Sequence, residues 1–136
     1  MLFRSEEFKI FQLQFHQLIQ EGKITGFPVV KDYLQGRFEV NTEDSLVGPK
    51  FALALFDEME KALPSVTTKL LSVLAERKAL HGNKVIDAVL RAGIATSNST
   101  LAEFRESFED KSTADAILDR FGLKHSVGNK IVSDEA

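Results

Sequence analysis

Between Pro64 and Gly93 apolar side chains return at intervals of three and four, and this spacing constrains the fold more than any other feature. Val66, Leu70, Val73, Leu74 and Leu80 form one stripe, with Leu71 beside them, as on the face that a helix turns to a core. Pro64 and Ser65 suit a helix entry, because proline lacks an amide that the first turn could not satisfy and serine can cap the others. Gly82 can take the positive φ needed past a helix end, and Asn83 can cap a following helix. Val85, Ile86, Val89 and Leu90 then repeat as i, i+1, i+4 and i+5 before Gly93. The spacing predicts a helical hairpin over about 65–93.

The same reasoning predicts helices elsewhere. Ser5 with Glu6 and Glu7 suits a helix start, and Phe8, Phe11, Phe15, Leu18 and Ile19 form a stripe before Gly22. Ile10 and Leu13 lie off that stripe, so the helix is apolar over more than half its circumference, as a helix shared with a second chain would be. Phe8, Phe11, Phe15, Ile10 and Leu13 are therefore candidate partner-binding residues. A short helix is expected over Val29–Gln35, with Tyr33 on its apolar side, followed by a loop over 37–48 that tucks Phe38 into the core. Pro49 opens a predicted helix to about Ala62, with Phe51, Leu55, Met59, Ala62 and Leu63 on one face. Thr100 and Glu103 have capping-box spacing ahead of Leu101, Phe104 and Phe108. Ser112 with Asp115 opens a last helix, with Ala114, Ile117, Leu118 and Phe121 inward, and Leu123 is expected to pack back on Leu118 past Gly122.

These elements add up to an all-α fold: a compact bundle of six or seven short helices around the central hairpin. Residues 1–123 form a single helical domain and 124–136 a C-terminal tail. At 136 residues the chain can bury a core without metal or disulfide staples, and a hydrophobic share of 43% argues against disorder. It has no cysteine, which removes disulfides, thiolate metal sites and cysteine nucleophiles. The first residues lack the basic-then-apolar order of a signal peptide, and no apolar run approaches a membrane span of about 18 residues. A soluble, cytoplasmic protein with no membrane contact is the expectation.

Charge is unevenly placed. Residues 61–94 carry six basic side chains against two acidic ones, while 1–60 carry six against ten. The three histidines have no ligand or nucleophile at a recognised spacing, and there is no glycine-rich phosphate loop, Gly-x-Ser-x-Gly or calcium-loop pattern. His81 before Gly82 reads as a residue that meets helix-terminal carbonyls. The acids Glu39, Glu43 and Asp44, and Asp57, Glu58 and Glu60, read as solvated charges. No catalytic residue, metal site or cofactor is expected.

The function expected from these features is non-enzymatic. The chain reads as a helical interaction protein, a self-associating regulator, adaptor or assembly subunit that binds a protein partner or a second copy of itself. The alternative is a nucleic-acid-binding regulator using Lys69, Arg77, Lys78, Lys84 and Arg91. Residues 85–109 resemble a degenerate helix-turn-helix, but the connection is too long and the second helix carries Glu103, Glu106, Glu109 and Asp110, which would repel phosphates.

Overall fold

Phe11-Gln12-Leu13-Gln14-Phe15 alternates apolar and polar side chains without a break, and period-two alternation belongs to a strand with one buried face. The chain there is strand β1, Lys9–Gln14, with Phe11 and Leu13 inward and Ile10, Gln12 and Gln14 outward. The computed structural model describes residues 9–30, 34–37, 39–82 and 84–127. It is a mixed α/β protein with seven strands among the described residues, which overturns the all-α bundle and the helix expected through Phe11 and Phe15. Phe8, Tyr33 and Phe38 lie outside the described residues.

After β1 come a single helical turn α1 (Gly22–Thr25) and two short strands, β2 (Phe27–Pro28) and β3 (Val40–Asn41), which pair antiparallel. Strand β4 (Phe51–Asp57) replaces the helix expected from Pro49, and only a 3-10 turn, Met59–Lys61, remains of it. Phe51-Ala-Leu-Ala-Leu-Phe is a run of six apolar residues. Alanine and leucine favour helix in isolation, but such a run also suits the central strand of a parallel sheet, where packing outweighs local preference. Helix α2 (Pro64–Glu76) follows with Pro64 at its start, as the spacing predicts, and buries Val66, Leu70 and Val73.

The second half of the expected helical hairpin is instead β5 (Lys78–His81) paired antiparallel with β6 (Lys84–Asp87), followed by β7 (Ala92–Thr96). His81 faces Lys84 across the hairpin; Asn83, expected to cap a helix, lies outside the described residues, and glycine-asparagine between apolar runs of a sequence is a hairpin signature. With 84–87 in a strand, the first helix of the turn motif at 85–109 is absent. Helix α3 (Leu101–Glu106) carries the expected capping box: the Glu103 amide donates to Thr100 Oγ1 at 3.2 Å and the Thr100 amide donates to Glu103 Oε2 at 3.1 Å. Helix α4 (Lys111–Arg120) is capped by Asp110 rather than by Ser112, whose amide donates to Asp110 Oδ1 at 2.9 Å. Leu123 is exposed and does not pack on Leu118.

Strands β1, β4 and β7 form one sheet in that order, all parallel, with α2 in the crossover from β4 to β7. Its inner face carries Phe11, Leu13, Ala54 and Phe56, which share a single core with Phe15, Ile24, Leu46, Val66, Leu70, Val73, Phe104 and Ile117. Phe11 and Phe51 meet edge to face with centroids 5.3 Å apart. One residue sets the phase: Lys9 pairs with Phe51 but Ile10 pairs with Leu53, so Ala52 is an extra residue in β4. This bulge lets Phe51 and Phe56 pack on the same core although they are five positions apart. The amide of Arg91 donates to the bulge carbonyl of Ala52 at 2.7 Å, which joins the start of β7 to it.

Candidate functional site

Among the described residues nothing covers the outer face of the parallel sheet. Register places Ile10 opposite Leu53, Leu53 opposite Ala92, Gln12 opposite Leu55, and Leu55 opposite Ile94. Ile10 is 53% exposed, Leu53 48%, Leu55 37% and Ile94 64%. These side chains are exposed together, as one patch across three strands. Parallel sheets are normally covered on both faces, because crossovers lay helices on each, and here the second cover is missing among the described residues. Contiguous exposed aliphatic surface of this kind marks docking sites.

Charged residues stand at both ends of the sheet. At the amino ends of the strands stand Lys9, Lys50 and Arg91, drawn together by the strands themselves. The Lys9 amide donates to the Lys50 carbonyl at 2.9 Å. Glu43 bridges Lys50 at 3.2 Å. At the carboxyl ends stand Asp57, Glu58 and Glu60 with Lys61.

The carboxyl end is tightly organised. Glu58 leaves β4 in the left-handed region, φ 57° and ψ 46°, an uncommon conformation for a residue with a side chain. Its amide donates to the Thr96 carbonyl at 3.0 Å. Its carboxylate accepts from Lys61 Nζ at 2.7 Å and from Gln14 Nε2 at 2.9 Å. The Lys61 hydrogen bond, then the one from Gln14, hold the Glu58 carboxyl below the usual glutamate range. Thr96 Oγ1 donates to Asp57 Oδ1 at 2.8 Å, and Ser97 Oγ donates to Glu60 Oε1 at 2.9 Å. Glu60 Oε2 is buried without a hydrogen-bond partner among the described residues.

Beside this end lies an open cleft of about 820 Å³, lined among others by His16, Glu60, Lys61, Thr67, Thr68 and Asp110. Most of its polar groups already serve the fold. Thr67 and Thr68 donate to the carbonyls of Leu63 and Pro64, at 3.2 and 2.9 Å. His16 Nδ1 accepts from the Leu18 amide at 3.1 Å, and Asp110 caps α4. Among the described residues no three His, Cys, Asp or Glu side chains gather as metal ligands.

Of the predicted partner-binding residues, Phe11, Leu13 and Phe15 are buried in the core, and Phe8 lies outside the described residues. Ile10 alone is on the bare face. Leu53, Leu55, Ala92 and Ile94 complete that face, and helical spacing hid them. The signal that would have found them is the phase of the alternation: if Phe11 and Leu13 point in, Ile10 points out. The basic residues do not form one basic surface. Lys69 is half-buried on α2, Lys78 faces Asp87 across the β5–β6 hairpin, and Lys84 faces His81. Arg77, left-handed at the end of α2, donates from its guanidinium to the Leu90 carbonyl. Arg91 directly precedes β7. His81 Nε2 lies 2.7 Å from the Thr25 carbonyl and ties the hairpin to α1.

No helix among the described residues is long and apolar enough to cross a membrane. No protein-family model matches the chain, and no curated protein is similar to it. Among solved structures, one described as a "putative ATPase" from Cytophaga hutchinsonii superposes with a TM-score of 0.47 at 16% identity, over 85% of this chain. The chain covers 39% of that protein's length. At such a score the likeness carries no argument about fold or activity.

Proposed function

We propose that this chain is a protein-interaction module that docks a protein partner, or another copy of itself, on the outer face of its parallel sheet. The observation that carries the reading is the set Ile10, Leu53, Leu55 and Ile94, exposed together on a sheet of a kind that is normally covered on both sides. The nucleic-acid alternative keeps only scattered charge once the first helix of its turn motif is gone, and no second observation favours it. The test is a pair of measurements on the wild type and on the double variant Leu55→Lys/Ile94→Lys. Sedimentation over a range of concentrations reads self-association, and binding of an environment-sensitive apolar dye reads the exposed patch. The reading expects wild type to show at least one of the two and the double variant to lose it. Wild type that neither associates nor binds dye, or a double variant indistinguishable from it, removes the reading.

A further inference from the structure

We infer that β7 takes up a further strand on its open edge, supplied by a partner polypeptide as an extended segment that is apolar on both sides. The edge is a second docking site, and it stands whether or not the outer face is occupied.

The sheet ends at β7, with β4 on one side and no strand on the other among the described residues. The Glu58 amide reaches from the end of β4 to the Thr96 carbonyl. Backbone groups of successive strand residues turn to opposite edges, so Ile94 and Thr96 turn theirs to β4, while Gly93 and Ala95 turn theirs outward. The Arg91 amide, which also meets β4, precedes the strand and bonds at the bulge. On the outward side Gly93 and Ala95 make no hydrogen bond among the described residues. Such a row of donors and acceptors is the template on which another strand adds. Exposed edges are usually guarded by a charge, a proline or a bulge. The run Ala92–Thr96 has neither charge nor proline, and its register with β4 is unbroken.

Burial shows which side chains the added strand brings. Phe11 and Leu13 of β1 and Ala54 and Phe56 of β4 are buried on the inner face, but Gly93 and Ala95 of β7 are only half-buried. The cover over the core thins at this edge. Gly93 stands against Phe56, whose ring a Cβ on the glycine would approach to 3.3 Å. Larger apolar side chains on an added strand would lie beside Gly93 and Ala95 and carry the core past them. On the outer face the same strand meets Ile94, the most exposed of the four aliphatic residues there. The occupant is therefore apolar on both sides, as strands inside a parallel sheet are. A second copy of β7 fits poorly. Paired antiparallel about Ile94, it would set Ala95 opposite Gly93, and two such small residues leave the inner side unfilled.

The experiment follows amide hydrogen exchange in the isotope-labelled full chain by nuclear magnetic resonance. In the dilute protein, Gly93 and Ala95 should exchange at least about tenfold faster than Ile94, whose amide is paired with β4. The probe is a peptide of about five valines and phenylalanines in alternation, the usual length of a strand, between terminal lysines. Its control is the same peptide methylated on every backbone amide between the lysines, which blocks strand pairing. The unmodified peptide should slow exchange at Gly93 and Ala95 about tenfold or more, and the methylated one should not. The effect should persist in Leu55→Lys, which alters the outer face and leaves this edge in place. Gly93 and Ala95 amides as protected as Ile94 in the dilute protein would show the edge already paired and overturn the inference. A peptide that fails to protect them, or equal protection by the methylated control, overturns it too. Protection that grows with the concentration of the protein alone overturns the partner and makes a second copy the occupant. Loss of the effect in Leu55→Lys overturns the edge as a site separate from the face.

Discussion

Leu55 of β4 lies directly opposite Ile94 of β7 on the outer face of the sheet, while their neighbours Phe56 and Ala95 pair on the inner face. The same two strands therefore supply both the core and the exposed patch, one position out of step.

That relationship predicts a separation of effects. Leu55→Lys and Ile94→Lys should change stability by no more than about 0.5 kcal/mol each, as substitutions on an open surface do, while abolishing association through the face. Urea unfolding beside sedimentation checks this. A loss of several kcal/mol would mean that the face is covered in the folded chain.

Phe56→Ala should cost about 3–5 kcal/mol, and Leu70→Ala about 2–5, because both side chains are fully buried in the single core and leave cavities when truncated. Leu53→Ala, at 48% exposure, should cost much less. The ratio of the Phe56 and Leu53 effects in denaturant unfolding reads the phase of β4 directly. Comparable losses would place the wrong face inward.

Acid should weaken the fold partly through Glu58 and Asp110. Both carboxyls are held below their ordinary values, Glu58 by Lys61 and then Gln14, Asp110 first by the Ser112 hydroxyl and then its amide. A lowered folded pKa gives stability that is complete above the unfolded value, about 4, and is lost as pH falls through the lowered folded value. Stability should thus decline from about pH 4 downward, with no contribution from these groups near neutrality to the slope. Glu58→Gln should lower the melting temperature at pH 7 and flatten the decline below pH 4. A variant with an unchanged acid limb would show that the Lys61 contact does not form in solution.

Gly48 should resist replacement. A Cβ built there would stand 2.6 Å from the Thr42 carbonyl oxygen and 2.9 Å from that of Ser45, backbone atoms that cannot swing aside. Gly48→Ala should cost more than about 1 kcal/mol in thermal or urea unfolding, whereas Gly82→Asn, at φ 60° with open space around it, should be tolerated. Equal tolerance at both positions would show that the turn over 42–48 is looser than described.

What could be read from the residues alone was decided by how local each signal was. Pro64 at a helix start, the Thr100–Glu103 capping box and the inward Ala114 and Ile117 are each fixed within a turn or two of chain, and α2, α3 and α4 begin close to where the spacing places them, although α2 stops at Glu76 and leaves Leu80 to β5. The strands were hidden for a physical reason. Phe11 and Phe15 are four apart, which satisfies the period of a helix and that of a strand alike, and only the glutamines between them break the tie. Phe51 to Phe56 has no polar residue to mark either period, and Ala52 adds a shift of phase that no single period can show. The Gly82-Asn83 link does carry a hairpin signal, but the same glycine also fits a helix end. The bare face depends on pairing between β1, β4 and β7, segments more than thirty residues apart, and is therefore invisible to any reading by spacing within one segment.

The extra residue at Ala52 has a consequence for how this chain can change over time. Without it, the part of β4 that precedes it would turn over, putting Phe51 into solvent and disconnecting it from the ring of Phe11. A deletion there and a compensating insertion elsewhere would have to arrive together, so Ala52 can vary in identity but not in number.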